Sequence, residues 1–148
     1  MKRALPALAV LAGLAGAAQA QPALPSASPA AVSTAPCPTA ADVNRQHLLG
    51  LWRAEFEAGA PPGATLLLEP HPDGALSLRG AINRDGERAQ LAGDIGDGEF
   101  SLEESADGSR ISAAWLGEVV EGSCGREIRG AWKAEGAPRQ FQFVLRKL

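Results

Sequence analysis

Apolar and polar residues alternate with a period of two in eight segments of the chain after His47. The segments span residues 48–57, 64–69, 75–82, 87–95, 98–104, 109–119, 126–134 and 139–147. A period of two is typical of β-strands that bury one face and expose the other. The pattern therefore predicts an all-β domain over residues 47–148.

One face of these segments is apolar throughout, whereas the alternate positions, such as Arg53 and Glu55, are mostly polar. A sheet with a single apolar face removes its exposed edges when it closes on itself, so we expect an eight-stranded antiparallel up-and-down barrel. A two-sheet β-sandwich is the alternative, because the same alternation allows it. The predicted inward residues are Trp52, Phe56, Leu66, Leu68, Leu76, Leu78, Ile82, Leu91, Ile95, Phe100, Leu102, Ile111, Ala113, Trp115, Ile128, Trp132, Phe141, Phe143 and Leu145.

Short separators rich in glycine, asparagine, aspartate and proline connect the segments, for example Asp85-Gly86. They leave no room for a crossover helix, so consecutive strands should pair antiparallel. Four glycines, at positions 80, 93, 117 and 130, lie inside the predicted strands. They indicate bends or bulges where the sheet must curve; close approach of a ligand to bare backbone is the alternative.

The first twenty residues have the pattern of a secretory signal peptide. Lys2 and Arg3 precede an apolar stretch over residues 5–18, and Ala18-Gln19-Ala20 supplies small residues for cleavage before Gln21. Residues 21–46 are rich in alanine, proline and serine and predict a flexible arm, with one helical turn near Thr39. The chain is therefore predicted to be periplasmic or secreted, with no membrane span once the signal peptide is removed.

The charge balance argues against a nucleic-acid partner. Of the fourteen basic residues, Lys2 and Arg3 leave with the signal peptide, so twelve remain against seventeen acidic residues, a net charge of −5. Nucleic-acid-binding domains normally carry a basic excess.

Cys37 and Cys124 are the two cysteines of the chain. An even count in an exported protein predicts one disulfide, which would join the arm to the late strands. A metal pair or a reactive thiol would need histidine or further cysteine ligands, and neither cysteine has one nearby in the sequence.

No catalytic constellation is evident, so the sequence predicts no enzyme, no cofactor and no metal site. His47 and His71 are the two imidazoles, and neither accompanies a Gly-x-Ser-x-Gly elbow. Glu103 and Glu104 are adjacent on one strand, so they point to opposite faces and cannot act as an acid–base pair. Glu104 shares the inward parity of Phe100 and Leu102: it lies either at the wet rim of the barrel or at a ligand-binding mouth.

Acidic residues are concentrated between Ala89 and Ser109, where no basic residue occurs. Asp94, Asp97 and Glu99 could supply oxygen ligands for Ca²⁺ on a glycine-rich turn. The alternative is pairing with nearby arginines such as Arg88 and Arg110.

The stretch Gly50-Leu51-Trp52 resembles the Gly-x-Trp that begins the first strand in the lipocalin and avidin families, and 130–132 has the same spacing. The resemblance implies a calycin-like exported barrel in which Trp52 fills the closed end. It also implies an arginine near the last strand, Arg139 or Arg146, packed on that indole. Biotin binding is not implied, because the avidin site uses a tyrosine and the chain has none.

Taken together, these features predict an exported, non-enzymatic β-barrel that binds a small apolar or amphipathic ligand at its open mouth. The candidate ligand-binding residues are Phe100, Glu104, Trp115 and Trp132. The alternative is a protein-interaction module, such as a periplasmic inhibitor of a protease or a lysozyme.

Overall fold

The computed structural model of the protein describes residues 36–148, in which eight antiparallel strands form one closed barrel. A 3₁₀ turn, Ala40–Asp42, and a short helix α1, Arg45–Leu48, precede the strands. The strands are β1 Gly50–Phe56, β2 Ala64–Pro70, β3 Ser77–Arg84, β4 Glu87–Gly96, β5 Glu99–Ser105, β6 Ala113–Val119, β7 Glu127–Ala134 and β8 Phe141–Lys147. The up-and-down barrel is confirmed and the sandwich alternative is ruled out. The predicted signal peptide and arm residues 21–35 lie outside the described residues.

Each strand pairs with the next along the chain, and β8 pairs back onto β1. At this seam Ala54 lies opposite Leu145 of β8, while its other neighbour is Ala64 of β2. On the outer surface of the seam Arg146 Nη1 lies 2.6 Å from Glu55 Oε2. Closure gives every strand two hydrogen-bonded neighbours, so the described barrel has no free sheet edge.

Side chains fill the interior of the barrel. Most inward positions are buried, with Trp52 and Trp115 fully shielded from solvent, whereas Phe56 and Phe141 are half-buried. Leu76 and Ile111 were predicted to point inward, and this is wrong: they are 54% and 45% exposed. Both precede the strands β3 and β6 that were expected to contain them, so the alternation does not extend to them.

The end of the barrel that carries α1, called here the helix end, is closed by the segment 36–48. Trp52 lies there, and its Nε1 donates a hydrogen bond of 2.7 Å to the carbonyl oxygen of Leu48, which is itself fully buried. Arg45 donates to the carbonyl oxygens of His71 and Gly74 in the β2–β3 loop. These contacts cover the indole and hold α1 across the barrel.

Residues 36–46 were assigned to the flexible arm, but in the structure they are attached to the helix end. Cys37 and Cys124 form the predicted disulfide, with their Cα atoms 4.8 Å apart. The backbone N–H of Ala40 donates to Glu121 Oε2 at 2.8 Å, and Val43 is buried in the core. The packed part of the chain therefore begins before His47. No helix among residues 36–148 is long and apolar enough to cross a membrane.

The in-strand glycines allow neighbouring strands to approach each other closely. A Cβ atom on Gly93 would overlap the carbonyl oxygen of Ser101 on β5, and one on Gly130 would overlap that of Leu116 on β6. The bare backbone is thus covered by the adjacent strand, and no ligand is needed to explain these glycines. The one-to-one register continues through all four of them, so the prediction of bulges is wrong.

We expect Gly93→Ala to lower the free energy of unfolding by about 1–3 kcal/mol, because the added methyl must displace the backbone of β5. Gly96→Ala, on the same strand, is the matched control: the nearest atom to its Cβ would be Leu76 Cδ1 at 3.9 Å. Urea unfolding of both variants, followed by tryptophan fluorescence, measures the difference. Equal midpoints for the two variants would contradict the proposed close contact.

Candidate functional site

The strongest candidate site lies at the mouth, defined as the barrel end opposite α1. Glu104, near the end of β5, is the one buried charged residue within the described part of the chain, with 3% of its surface exposed. Glu104 follows Leu102 by two positions on the same strand, so its side chain points into the barrel as that of Leu102 does, which confirms the prediction. A buried carboxylate is stable only when it is paired and hydrogen-bonded.

Three donors converge on one oxygen of this carboxylate. Glu104 Oε1 accepts hydrogen bonds from Trp115 Nε1 at 2.8 Å, Trp132 Nε1 at 2.9 Å and Arg84 Nη2 at 3.1 Å. The second oxygen, Oε2, accepts one longer bond of 3.4 Å from Arg84 Nη1. The structure thus brings together three of the four predicted ligand-binding residues and shows that Glu104 is not at a wet rim.

Arg84, at the end of β3, completes this cluster. Its side chain is 16% exposed, and its guanidinium carbon lies 5.4 Å from the Trp132 ring centre and 5.8 Å from that of Phe56. Its Nε is buried and has no hydrogen-bond partner among the described residues. A buried donor without a partner costs about 1–3 kcal/mol, so the mouth holds one strong unused donor.

Arg84 was not among the predicted site residues, because the third strand was predicted to end at Ile82. The signal was present in Asp85-Gly86, where both residues have positive φ angles of 51° and 93°. Such a two-residue turn joins strands directly, so β3 must continue to Arg84. The alternation then places Arg84 on the inward face with Ile82.

Two phenylalanine rings pack against the indoles of Trp115 and Trp132. Phe56 lies 5.3 Å from Trp115 and 5.8 Å from Trp132, measured between ring centres, and Phe143 lies 4.8 Å from Trp115. These tilted and edge-to-face arrangements are the favourable geometries for aromatic pairs. They fix the two indole N–H groups that hold Glu104.

A pit of about 200 Å³ opens beside this cluster. Ile82, Ala89, Ala113 and Trp132 give it apolar walls, and Arg84 and Glu104 give it polar ones. Clefts for drug-sized ligands measure about 300–1,000 Å³, so the pit has room for a small molecule or for one end of a longer one.

Phe100, the fourth predicted residue, lies elsewhere. It is four positions before Glu104 on β5, which separates their Cα atoms by about 13 Å along the strand toward the helix end. It is buried and lies against Gly117 of β6. Phe100 therefore contributes to the packed interior and not to the mouth.

A larger concavity, about 840 Å³, lies on the outer wall of the barrel across β4 to β8 and is called here the outer groove. Its middle is a row of directly opposed residues, Asp94, Ser101, Leu116, Ala131 and Gln142. Leu116 is 65% exposed, and Leu76 at one end of the groove is 54% exposed. The alternation within single strands does not reveal this surface, because the row forms only when the register places outward residues of five strands side by side.

The predicted pairing with arginines is confirmed for Arg110, whose Nε lies 3.1 Å from Asp107 Oδ2 at the mouth. It does not extend to the carboxylates of the outer groove. Arg129 lies opposite Glu118 but binds Glu127, with Nη2 at 2.6 Å from Oε1. This hydrogen bond lowers the pKa of Glu127. Within residues 36–148, Asp97, Glu99 and Glu118 form no ion pair.

The remaining candidate side chains have structural roles. His47 Nδ1 accepts from the backbone N–H of Asn44, and His71 Nδ1 accepts from that of Asp73. No three histidine, cysteine, aspartate or glutamate side chains in the described part of the chain are grouped so that they could hold a metal ion.

Asp107 organises the β5–β6 loop at the mouth. Its Oδ1 accepts the backbone N–H groups of Arg110 and Ser109, which hold the pKa of its carboxyl at about 2, below the ordinary 3.8. Because the pKa is lower in the folded protein, this contribution to stability is present above the unfolded value and is lost as the pH falls toward about 2. We expect an NMR titration of the Asp107 carboxyl carbon to show a midpoint near 2 in the folded protein and an ordinary one in urea. Equal midpoints in both states would contradict these hydrogen bonds.

The resemblance to calycin-like barrels holds at the level of architecture. Trp52 fills the closed end as expected, but neither Arg139 nor Arg146 packs on it: Arg139 lies over the Phe141 ring, and Arg146 binds Glu55 and Glu127 on the outer surface. The fold is compatible with a calycin-like barrel. No protein-family model and no curated protein matches the chain, so its family stays unassigned.

Proposed function

We propose that the protein is an exported, non-enzymatic β-barrel binding protein that holds a small amphipathic ligand in the pit at its mouth. The observation that carries this proposal is the buried Arg84 Nε, which has no partner and lies beside the apolar wall formed by Trp132. Export is supported by the signal-like residues 1–20 and by the Cys37–Cys124 disulfide.

The ligand would place a hydrogen-bond acceptor oxygen toward the guanidinium of Arg84, which must move slightly for its covered Nε to be reached. Its apolar end would lie against Trp132, Ile82 and Ala89. Glu104 already balances the charge of Arg84, so the acceptor need not be anionic. The same carboxylate fixes the guanidinium and both indoles before any ligand arrives. Such preorganisation lowers the entropy cost of binding.

Binding is favoured over catalysis because the groups that could transfer protons are already engaged. Both imidazoles accept backbone hydrogen bonds in turns near the helix end. Glu104 accepts three hydrogen bonds through one oxygen, so its carboxylate is occupied in orienting Arg84 and the two indoles.

An NMR screen tests the pit directly. The probes are small carboxylates, amides and alcohols with a short aliphatic or aromatic end, added to ¹⁵N-labelled protein. We expect the indole N–H of Trp132 and the Nε–H of Arg84 to shift, while the indole N–H of Trp52, at the other end of the barrel, stays in place. Arg84→Lys keeps the charge but removes Nε, and should abolish these shifts. Unchanged Trp132 and Arg84 signals at millimolar probe would overturn the proposal.

A protein-interaction module is the second candidate, and the outer groove with its exposed Leu116 favours it. One form would be a periplasmic inhibitor of a protease or a lysozyme. Activity assays of secreted proteases and lysozymes with added protein test this form. Inhibition at a stoichiometric ratio would support it, and full activity throughout the panel would count against it.

A further inference from the structure

We propose that the outer groove binds an extended, basic segment of another protein, with an aliphatic side chain of that segment on Leu116. This inference rests on the second candidate function and names the chemistry of its partner. Three features of the groove support it: its shape, its exposed leucines and its uncompensated negative charge.

The shape suits an extended polypeptide. The central row crosses five strands, and adjacent strands are about 4.8 Å apart, so the row is roughly 19 Å long. An extended segment of about six residues covers this distance. The closed barrel has no free edge at this wall, so the segment would be recognised through side chains and not by addition of a strand.

The apolar contact would be made by Leu116. Its cross-strand neighbours, Ser101 and Ala131, are too small to cover it. This explains its 65% exposure in the middle of a concave surface. An aliphatic side chain placed in the row would remove Leu116 from water, which is favourable at about 25 cal/mol per Å² of apolar surface buried.

The charge of the groove selects a basic partner. Glu99 lies directly opposite Glu118 across β5 and β6, and like charges in that position destabilise a sheet. Arg129 could relieve this repulsion from β7, but its charge is satisfied by Glu127. Lysine or arginine side chains of a bound segment would supply the missing positive charges.

Binding of a short peptide tests the groove. The probe is a capped eight-residue peptide of alternating leucine and lysine, and a peptide of alternating leucine and glutamate is its control. We expect the basic peptide to bind with an affinity that falls as salt is added, and the acidic peptide not to bind. The paired variant Glu99→Gln/Glu118→Gln should weaken the basic peptide about tenfold while leaving the fold as stable or more stable, since it removes a repulsion.

Leu116→Ser should also weaken binding, and Leu51→Ser is its matched control, because Leu51 is an exposed leucine of β1, outside the groove. Equal effects of these two variants, or equal binding of the acidic peptide, would overturn the proposal. Binding of octylamine as tight as that of the peptide would also overturn it, because the occupant would then be a small amphiphile.

Different results would contradict the peptide-binding proposal for the groove and the interaction function. If the peptide binds through the groove but no enzyme is inhibited, the peptide-binding proposal is supported and the inhibitor function is contradicted. Alternatively, the wild type inhibits an enzyme no better than the Glu99→Gln/Glu118→Gln and Leu116→Ser variants do. That result would support the interaction function and contradict the proposal that the groove is the binding surface.

Discussion

Replacing Glu104 by leucine is expected to lower the free energy of unfolding by about 3–5 kcal/mol. The substitution leaves the guanidinium of Arg84 largely buried without its counter-charge, and it removes the acceptor of two indole N–H groups. Urea unfolding with the disulfide intact, followed by far-ultraviolet circular dichroism, measures the loss. Fluorescence should report it too, because Trp115 and Trp132 lose their hydrogen bonds.

The neighbouring residue provides the control for this prediction. Glu103 is exposed on the outer face of the same strand, so Glu103→Leu should change stability by no more than about 0.5 kcal/mol. The double variant Arg84→Met/Glu104→Leu should be more stable than Glu104→Leu alone, because it buries no unpaired charge. If Glu103→Leu and Glu104→Leu cost the same, the buried cluster does not stabilise the mouth.

Loss of the Cys37–Cys124 disulfide is the second large effect. The two cysteines are 87 positions apart, and the entropy of closing such a loop in the unfolded chain corresponds to roughly 4.6 kcal/mol. We expect Cys37→Ser/Cys124→Ser to lose about this amount of stability. The dependence of the unfolding free energy on urea should become steeper, because the unfolded chain without the cross-link exposes more surface.

A reducing agent supplies the control for the disulfide. It should lower the stability of the wild-type protein to that of the double serine variant and should leave the variant unchanged. A loss well below about 1 kcal/mol would contradict the predicted effect of the cross-link on the entropy of the unfolded chain.

The alternation of apolar and polar residues was sufficient to predict the barrel, because one buried face on eight strands has few other solutions. It failed at Leu76 and Ile111, where the chain is in loops and the backbone no longer alternates. The cysteine count predicted the disulfide that ties Cys37 to the late strands, but it could not predict the packing of residues 38–46, which depends on contacts such as the hydrogen bond from Ala40 to Glu121, 81 positions away. Such contacts have no local signature in a sequence.

The candidate site was only partly predictable for the same reason. The alternation of inward and outward positions along the strands identified Glu104, Trp115 and Trp132 as inward-facing residues near each other. The role of Arg84 could be predicted only by continuing the strand to its turn, and the outer groove could be predicted only from the register of β4 to β8. Glu99 was named only as a candidate Ca²⁺ ligand and Glu118 was not named, because their opposition arises only from the register of β5 against β6.

The seam between β1 and β8 has a consequence for how the protein reaches its native state. The residues it joins, such as Glu55 and Arg146, are 91 positions apart, so β1 keeps an unsatisfied edge until the last strand has been made and docked. Sheets dominated by such distant pairings form slowly, on a scale of about milliseconds to seconds. Until β8 docks, the chain has two open sheet edges that can pair with other chains, so we expect aggregation during refolding to be greatest before that step.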